Sequence, residues 1–127
     1  GATGFAGWPD EYVAGIERFN AGEFWDAHEE WEELWLAADA PDRAFYQGLI
    51  QVAAAFHHYG QANWGGMMAL LSEACAKLAR YRPRACGLDV DRFLAQLEPW
   101  RLLARARTGK GPPALRIPED PPRLVLD

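Results

Sequence analysis

The sequence predicts an all-α fold: a compact bundle of about five helices, built from antiparallel helical hairpins and followed by a Pro-rich extended C-terminal tail. Three observations lead there. Apolar residues recur at helical spacing in five successive segments. Most breaks between those segments are short and carry Gly, Pro, Asn or Asp. Five of the nine prolines fall from Gly109 onward, and that end cannot be an ordinary helix. The expected division is one helical domain over residues 1–108 and an extended arm over 109–127. The apolar residues Leu115, Ile117, Leu124 and Leu126 suggest that the arm docks on the body or on a neighbouring subunit.

The first helix is expected to start at Pro9, which suits a first turn, with Asp10 and Glu11 at the positive end of the dipole. Tyr12, Ile16 and Phe19 repeat at helical spacing, and Asn20-Ala21-Gly22 breaks it. The second helix is expected from Glu23 to Ala38. At 100° per residue, one arc holds Leu34, Ala27, Trp31, Phe24, Trp35, His28, Glu32 and Trp25. Asp26, Glu30 and Glu33 fall on the opposite, solvated side, and Glu29 at the edge of the arc. Ala40-Pro41-Asp42 is a short turn, which implies an antiparallel hairpin with the next helix.

The third helix is expected from Asp42 to Tyr59. Phe45, Leu49, Val52, Phe56 and Tyr59 make one stripe, and Gln47, Gln51 and His58 another beside Gly48, Ala54 and Ala55. Charge is confined to its first two residues, which predicts burial on most sides. The fourth helix follows the N-cap candidate Asn63 and runs to Arg80, with Trp64, Met67, Leu71, Ala74, Cys75 and Leu78 facing inward. Residues 81–88 read as a loop. The fifth helix begins near Asp89, with Val90, Phe93, Leu94 and Leu97 inward. Pro99 is expected to end or kink it, with a turn or two more to Arg107.

Composition narrows the function. Half of the 127 residues are hydrophobic, enough for a core. A formal charge of −5 argues against nucleic acid as a partner. No apolar run approaches the roughly 20 residues that cross a bilayer. No basic-then-apolar leader precedes Trp8. No membrane association and a cytoplasmic location are therefore expected. Cys75 and Cys86 are expected as reduced thiols. Ten of the 18 acidic residues precede Pro41, and 11 of the 13 basic ones lie from Lys77 onward. Packing of the last helix near the second would pair these charges within the fold.

The chemistry-bearing cluster is His28, Glu29, Glu32, Gln47, Gln51 and His58. A hairpin turning near Ala40 sets His28 near Val52, Glu32 near Gly48 and Glu29 near Gln51, with Gly48 allowing close approach. One reading is a buried polar network: a carboxylate removed from water needs donors, and the amides and imidazole supply them. The other is a divalent metal site or an acid–base site in which Glu32 is the general acid–base group. His28 and Glu32 lie four apart and can point at one ion, His58 is a third ligand candidate, and Glu29 is the catalytic candidate as base. His28-Glu29 opens like a metalloprotease helix, but Glu32 stands where its second histidine belongs, and no Glu-x-x-His pair exists. No cofactor is required by the sequence. The four tryptophans Trp8, Trp25, Trp31 and Trp35 are expected in the core rather than around a ligand.

Phe19-Asn20, Gly22 to Glu29, Trp31-Glu32, Leu34-Trp35, Gln47 to Gln51, Ala53 to Ala55, Asn63, Gly66 and Leu70-Leu71 together resemble the small helical proteins grouped as domain of unknown function 309. The resemblance covers roughly Ala14 to Leu78, and more weakly to Leu97. It implies packed helical hairpins and carries no established activity. Its motif falls on His28, Glu29, Glu32, Trp35, Gln47, Gly48 and Gln51. Asp26 stands where that family suggests Glu.

Two functions follow as expectations. The first is a non-enzymatic domain acting by self-association or by binding a protein partner. The second is a metal-dependent, hydrolase-like enzyme using His28 and Glu32.

Overall fold

The computed structural model describes residues 7–39, 41–109 and 115–127. Among these residues five helices run in the order α1 (Asp10–Asn20), α2 (Phe24–Ala37), α3 (Arg43–Gly60), α4 (Trp64–Ala79) and α5 (Val90–Arg107). Each packs mainly on its neighbours in the chain, so successive helices form antiparallel hairpins. The expected all-α class is the observed one, and helix bounds agree within a residue or so.

Two of the turns share one geometry. After α1, Gly22 takes φ +81, Glu23 N–H donates to the Arg18 carbonyl and Gly22 N–H to that of Phe19. After α3, Ala62 takes φ +56, Asn63 N–H donates to the His58 carbonyl and Ala62 N–H to that of Tyr59. This paired closure uses up carbonyls that the helix end leaves open. Gly22 adopts the left-handed conformation freely, whereas Ala62 does so against its Cβ. Asn63 then caps α4 as expected, its Oδ1 accepting from Gly66 N–H at 3.0 Å.

The core is aromatic where helices meet. The Phe19 ring of α1 lies 6.2 Å from Phe56 of α3 and 6.0 Å from Phe93 of α5, and Phe56 lies 5.2 Å from Trp100. α3 is buried on most sides, as its apolar composition predicts. α5 passes through Pro99 without ending. Pro99 is exposed, and Leu97, Trp100, Leu103 and Ala104 are buried on the opposite side. Their burial outweighs the one ladder hydrogen bond that proline withholds.

The 81–88 loop is more ordered than expected. Arg84–Ala85 (β1) pairs antiparallel with Leu88–Asp89 (β2) around Cys86-Gly87, both at positive φ. Cys86 faces the α1–α3 side. Tyr12 Oη donates to its carbonyl at 2.7 Å. Both cysteines are free. Burial, and then the Asp42 carboxylate, push the Cys86 thiol up to about 11. Burial, Cys86 and Asp42 push the Tyr46 phenol up to about 12. Both groups are neutral when protonated, and their folded values lie above the ordinary 9.0 and 10.0. Their contribution to stability is therefore complete below about pH 9 and lost as pH rises through 11 to 12. The urea midpoint is expected to fall over that window, and Cys86→Ala to delay the fall. A midpoint flat to pH 12 would contradict the burial of both groups.

The arm docks on its own body. Asn20 grips the backbone of Leu124 twice, through Nδ2 to the carbonyl at 2.7 Å and Leu124 N–H to Oδ1 at 2.9 Å. Gln96 grips Arg123 the same way, at 3.1 and 2.7 Å. The Leu124 side chain is buried in the core.

Candidate functional site

The α2 helix carries the sequence cluster, and its rotation decides which residues are accessible. Ala27, Trp31 and Leu34 are buried, and Phe24, His28, Glu30 and Trp35 half-buried. Trp25, Glu29, Glu32 and Leu36 are exposed. The buried arc is thus turned by roughly 50° from the one the apolar residues suggest. Trp25 causes the offset, since it closes the apolar arc and yet is 50% exposed; Leu36, just beyond the arc, is 72% exposed. With Glu29 and Glu32 they form one stripe along α2.

This corrects the burial expected of Glu32. Its side chain is 51% exposed, and its partner is His28 Nε2 at 3.1 Å, one helical turn earlier. Glu30, expected on the solvated side, is half-buried instead. The antiparallel register itself holds, since Trp25 meets His57 and Trp35 lies under Arg43, its guanidinium carbon 4.3 Å from the ring centroid.

The glutamine stripe of α3 turns the other way. Gln51 Nε2 donates to Glu73 Oε2 at 2.8 Å, and Gln51 Oε1 accepts from Lys77 Nζ at 3.1 Å, both on α4. A Cβ at Gly48 would lie 2.9 Å from Leu78 Cδ2, so the glycine serves the α3–α4 contact and not α2. α3 lies between two helices, and Gly48 faces α4. Gln47 is half-buried with Gln51. His58 closes the following turn, its Nδ1 3.0 Å from Asn63 Nδ2. The expected cluster therefore divides into a half-buried His28 paired with an exposed Glu32, a Gln51–Glu73–Lys77 set, and a turn containing His58. Glu29 is exposed on the α2 stripe.

What forms around His28 is aromatic. The Trp25 ring stacks on His28 at 4.8 Å and 17°, and its other neighbour is His57 at 4.9 Å. Beside it a shallow concavity is floored by Phe24, Phe56 and Tyr59, with Glu23 and Asp26 lining it. His28 Nδ1 is buried without a hydrogen-bond partner. Among the described residues, no three His, Cys, Asp or Glu side chains converge to hold a metal ion. Trp31 and Trp35 are packed as expected, and Trp8 rests 5.5 Å from Tyr12, so Trp25 is the exception. In the sequence Trp25 reads as a core tryptophan, and nothing there singles out His57 as its neighbour. Their contact depends on the α2 rotation, which the sequence misplaces.

Charge is not redistributed as expected. α2 carries five carboxylates and neither Lys nor Arg. The ion pairs Arg18–Glu23, Arg82–Asp91, Arg84–Asp127 and Arg101–Glu98 do not join α2 to α5. α5 packs on α4.

Residues 12–70, from the middle of α1 into α4, match the family model named domain of unknown function (DUF309). Over this segment the chain is similar to that family. The family is the one its motifs resemble. An uncharacterized protein of Aquifex aeolicus (strain VF5) is 30% identical over 81 residues, 63% of this chain and 24% of that protein. The chain thus spans about a quarter of the length of that relative. No solved structure matches. No described helix is long and apolar enough to cross a membrane. The contacts of Trp25 with His28 and His57 lie within the matched segment, whereas α5 and the arm lie beyond it.

Proposed function

We propose that this helical domain is a protein-docking module whose α2–α3 face receives a basic segment of a partner protein. One observation carries this reading: Trp25 is held half-exposed between two imidazoles on a helix with five carboxylates and no Lys or Arg. A large aromatic fixed in place and still open to solvent is the residue type that dominates interface energies. Like charges three and four apart along α2 repel by a few tenths of a kcal/mol per pair. A partner's Lys or Arg would relieve that repulsion. The concavity at Trp25 suits such a side chain, with aromatic faces for its stem and cation and carboxylates at hand.

The same charge argues against self-association through this face. A two-fold contact would set α2 against α2 and acid against acid. The metal-enzyme reading gains no specific support here, since His28 and Glu32 provide two donors, one of them on an exposed side chain.

The test is affinity capture with wild type and Trp25→Ala in parallel, read by quantitative mass spectrometry. Light scattering supplies the oligomeric state. A partner that binds wild type, weakens with salt and is lost roughly thirtyfold or more in Trp25→Ala is the expected result. Folding stability is expected to change little, since half of the ring is exposed. Equal capture by both proteins, or a salt-independent dimer broken by Trp25→Ala, would overturn the reading.

A further inference from the structure

A second concavity lies where the β1–β2 hairpin, the start of α5 and the arm meet, away from the docking face. It encloses about 140 Å³. Its lining draws one arginine from each of those three elements: Arg84, Arg92 and Arg123. Three exposed arginines lining one small space repel one another, weakly where water screens them, unless something negative is shared among them. The chain as a whole carries −5, so general basicity does not explain the gathering.

Two carboxylates also line the space and offset part of that charge, so three arginines stand against two aspartates. Asp127 pairs with Arg84. Asp89 caps α5, accepting from Arg92 N–H at 3.0 Å. The guanidiniums of Arg92 and Arg123 have no carboxylate partner among the described residues. The other first-turn N–H groups of α5 are also satisfied, Val90 donating to the Pro83 carbonyl at 2.9 Å and Asp91 at 3.3 Å. Any anion held here is therefore held by side chains rather than by the helix end. The backbone of Arg123 is fixed by its two bonds to Gln96, which places this guanidinium only while the arm is docked.

We infer that this concavity binds a phosphate-type oxyanion through Arg92 and Arg123, with Arg84 at its edge. Planar guanidinium forks match the paired oxygens of phosphate and make the stronger, charge-assisted class of hydrogen bond. The volume suits a single tetrahedral anion or the phosphate end of a monoester. Because one ligand arginine comes from the arm and another from α5, the bound anion also fastens the arm to the body.

The test titrates the full chain with inorganic phosphate at constant ionic strength, followed by NMR shifts of the Arg92 and Arg123 amides and side chains. O-phosphoserine is the second probe. Saturable binding is expected, weakened about tenfold in Arg92→Gln and in Arg123→Gln. Asp127→Asn frees Arg84 and is expected to tighten it. Tighter binding of O-phosphoserine assigns the site to a phosphate monoester, and equal binding assigns it to phosphate itself. The Leu124 amide exchange rate reports whether Arg123→Gln has released the arm; if it has, Arg92→Gln decides alone. A response that follows ionic strength without saturating, or affinity unchanged in Arg92→Gln, would overturn the inference.

Discussion

Gly15→Ala is expected to destabilise the domain by about 3 kcal/mol or more. Gly15 lies on the buried side of α1, and an added methyl group would overlap the indole of Trp31. That ring has nowhere to go. It is fully buried, packs 5.8 Å from Phe19, and its Nε1 donates to the Tyr12 carbonyl at 3.3 Å. Turning it aside would break that hydrogen bond and open a void beside α1. Gly65→Ala is the matched control. It is also a helical glycine, but its Cβ would meet nothing within 4 Å. There the gain in helix propensity, about 0.5–1 kcal/mol, is unopposed. Urea denaturation of the two variants should move the midpoint in opposite directions. An unchanged midpoint in Gly15→Ala would show that the α1–α2 contact is looser than described.

The second large effect concerns the arm. Asn20→Ala is expected to cost about 1–3 kcal/mol and to speed hydrogen exchange of the Leu124 amide about tenfold or more. The carboxamide makes two bonds to one residue, and both backbone groups of Leu124 lose their partner together. Water can replace them only if the segment lifts, and lifting exposes the buried Leu124 side chain. Gln96→Ala is expected to act in the same direction but more weakly, because its bonds to Arg123 lie in the open. Exchange at Leu124 that stays slow in the Asn20→Ala, Gln96→Ala double variant would mean that apolar contacts alone hold the arm.

Much of this fold is legible in the sequence because its signals are local. Tyr12, Ile16 and Phe19, or Phe45, Leu49, Val52 and Phe56, mark core faces by spacing alone, and all are buried. Asn63 and Asp89 announce helix starts, and each caps its helix. The α2–α3 register follows from the short turn. The rotation of α2 does not follow, because spacing cannot separate an apolar residue that packs from one that waits for a partner. Trp25 draws the apparent core arc toward itself and carries Glu32 with it. The fate of Gln51 was equally hidden. A helix between two neighbours has two polar edges to assign, and only the geometry of α4 sends this one to Glu73 and Lys77. In the sequence Asn20 reads only as part of the break after α1, and nothing marks Gln96 as a clamp. Their targets lie 104 and 27 positions away, beyond the reach of any local pattern.

The distance from Asn20 to Leu124 has a consequence for the order in which the chain acquires its structure. Helices that pack on their chain neighbours need only short loops closed, and such contacts form early and fast. The clamp closes a loop of 104 positions, whose ordering entropy is repaid only once α1 and α5 are already in place. The arm is then the last piece to join and the first to leave. The helices gain their shape from nearest neighbours, and the arm adds a late seal between the first helix and the last.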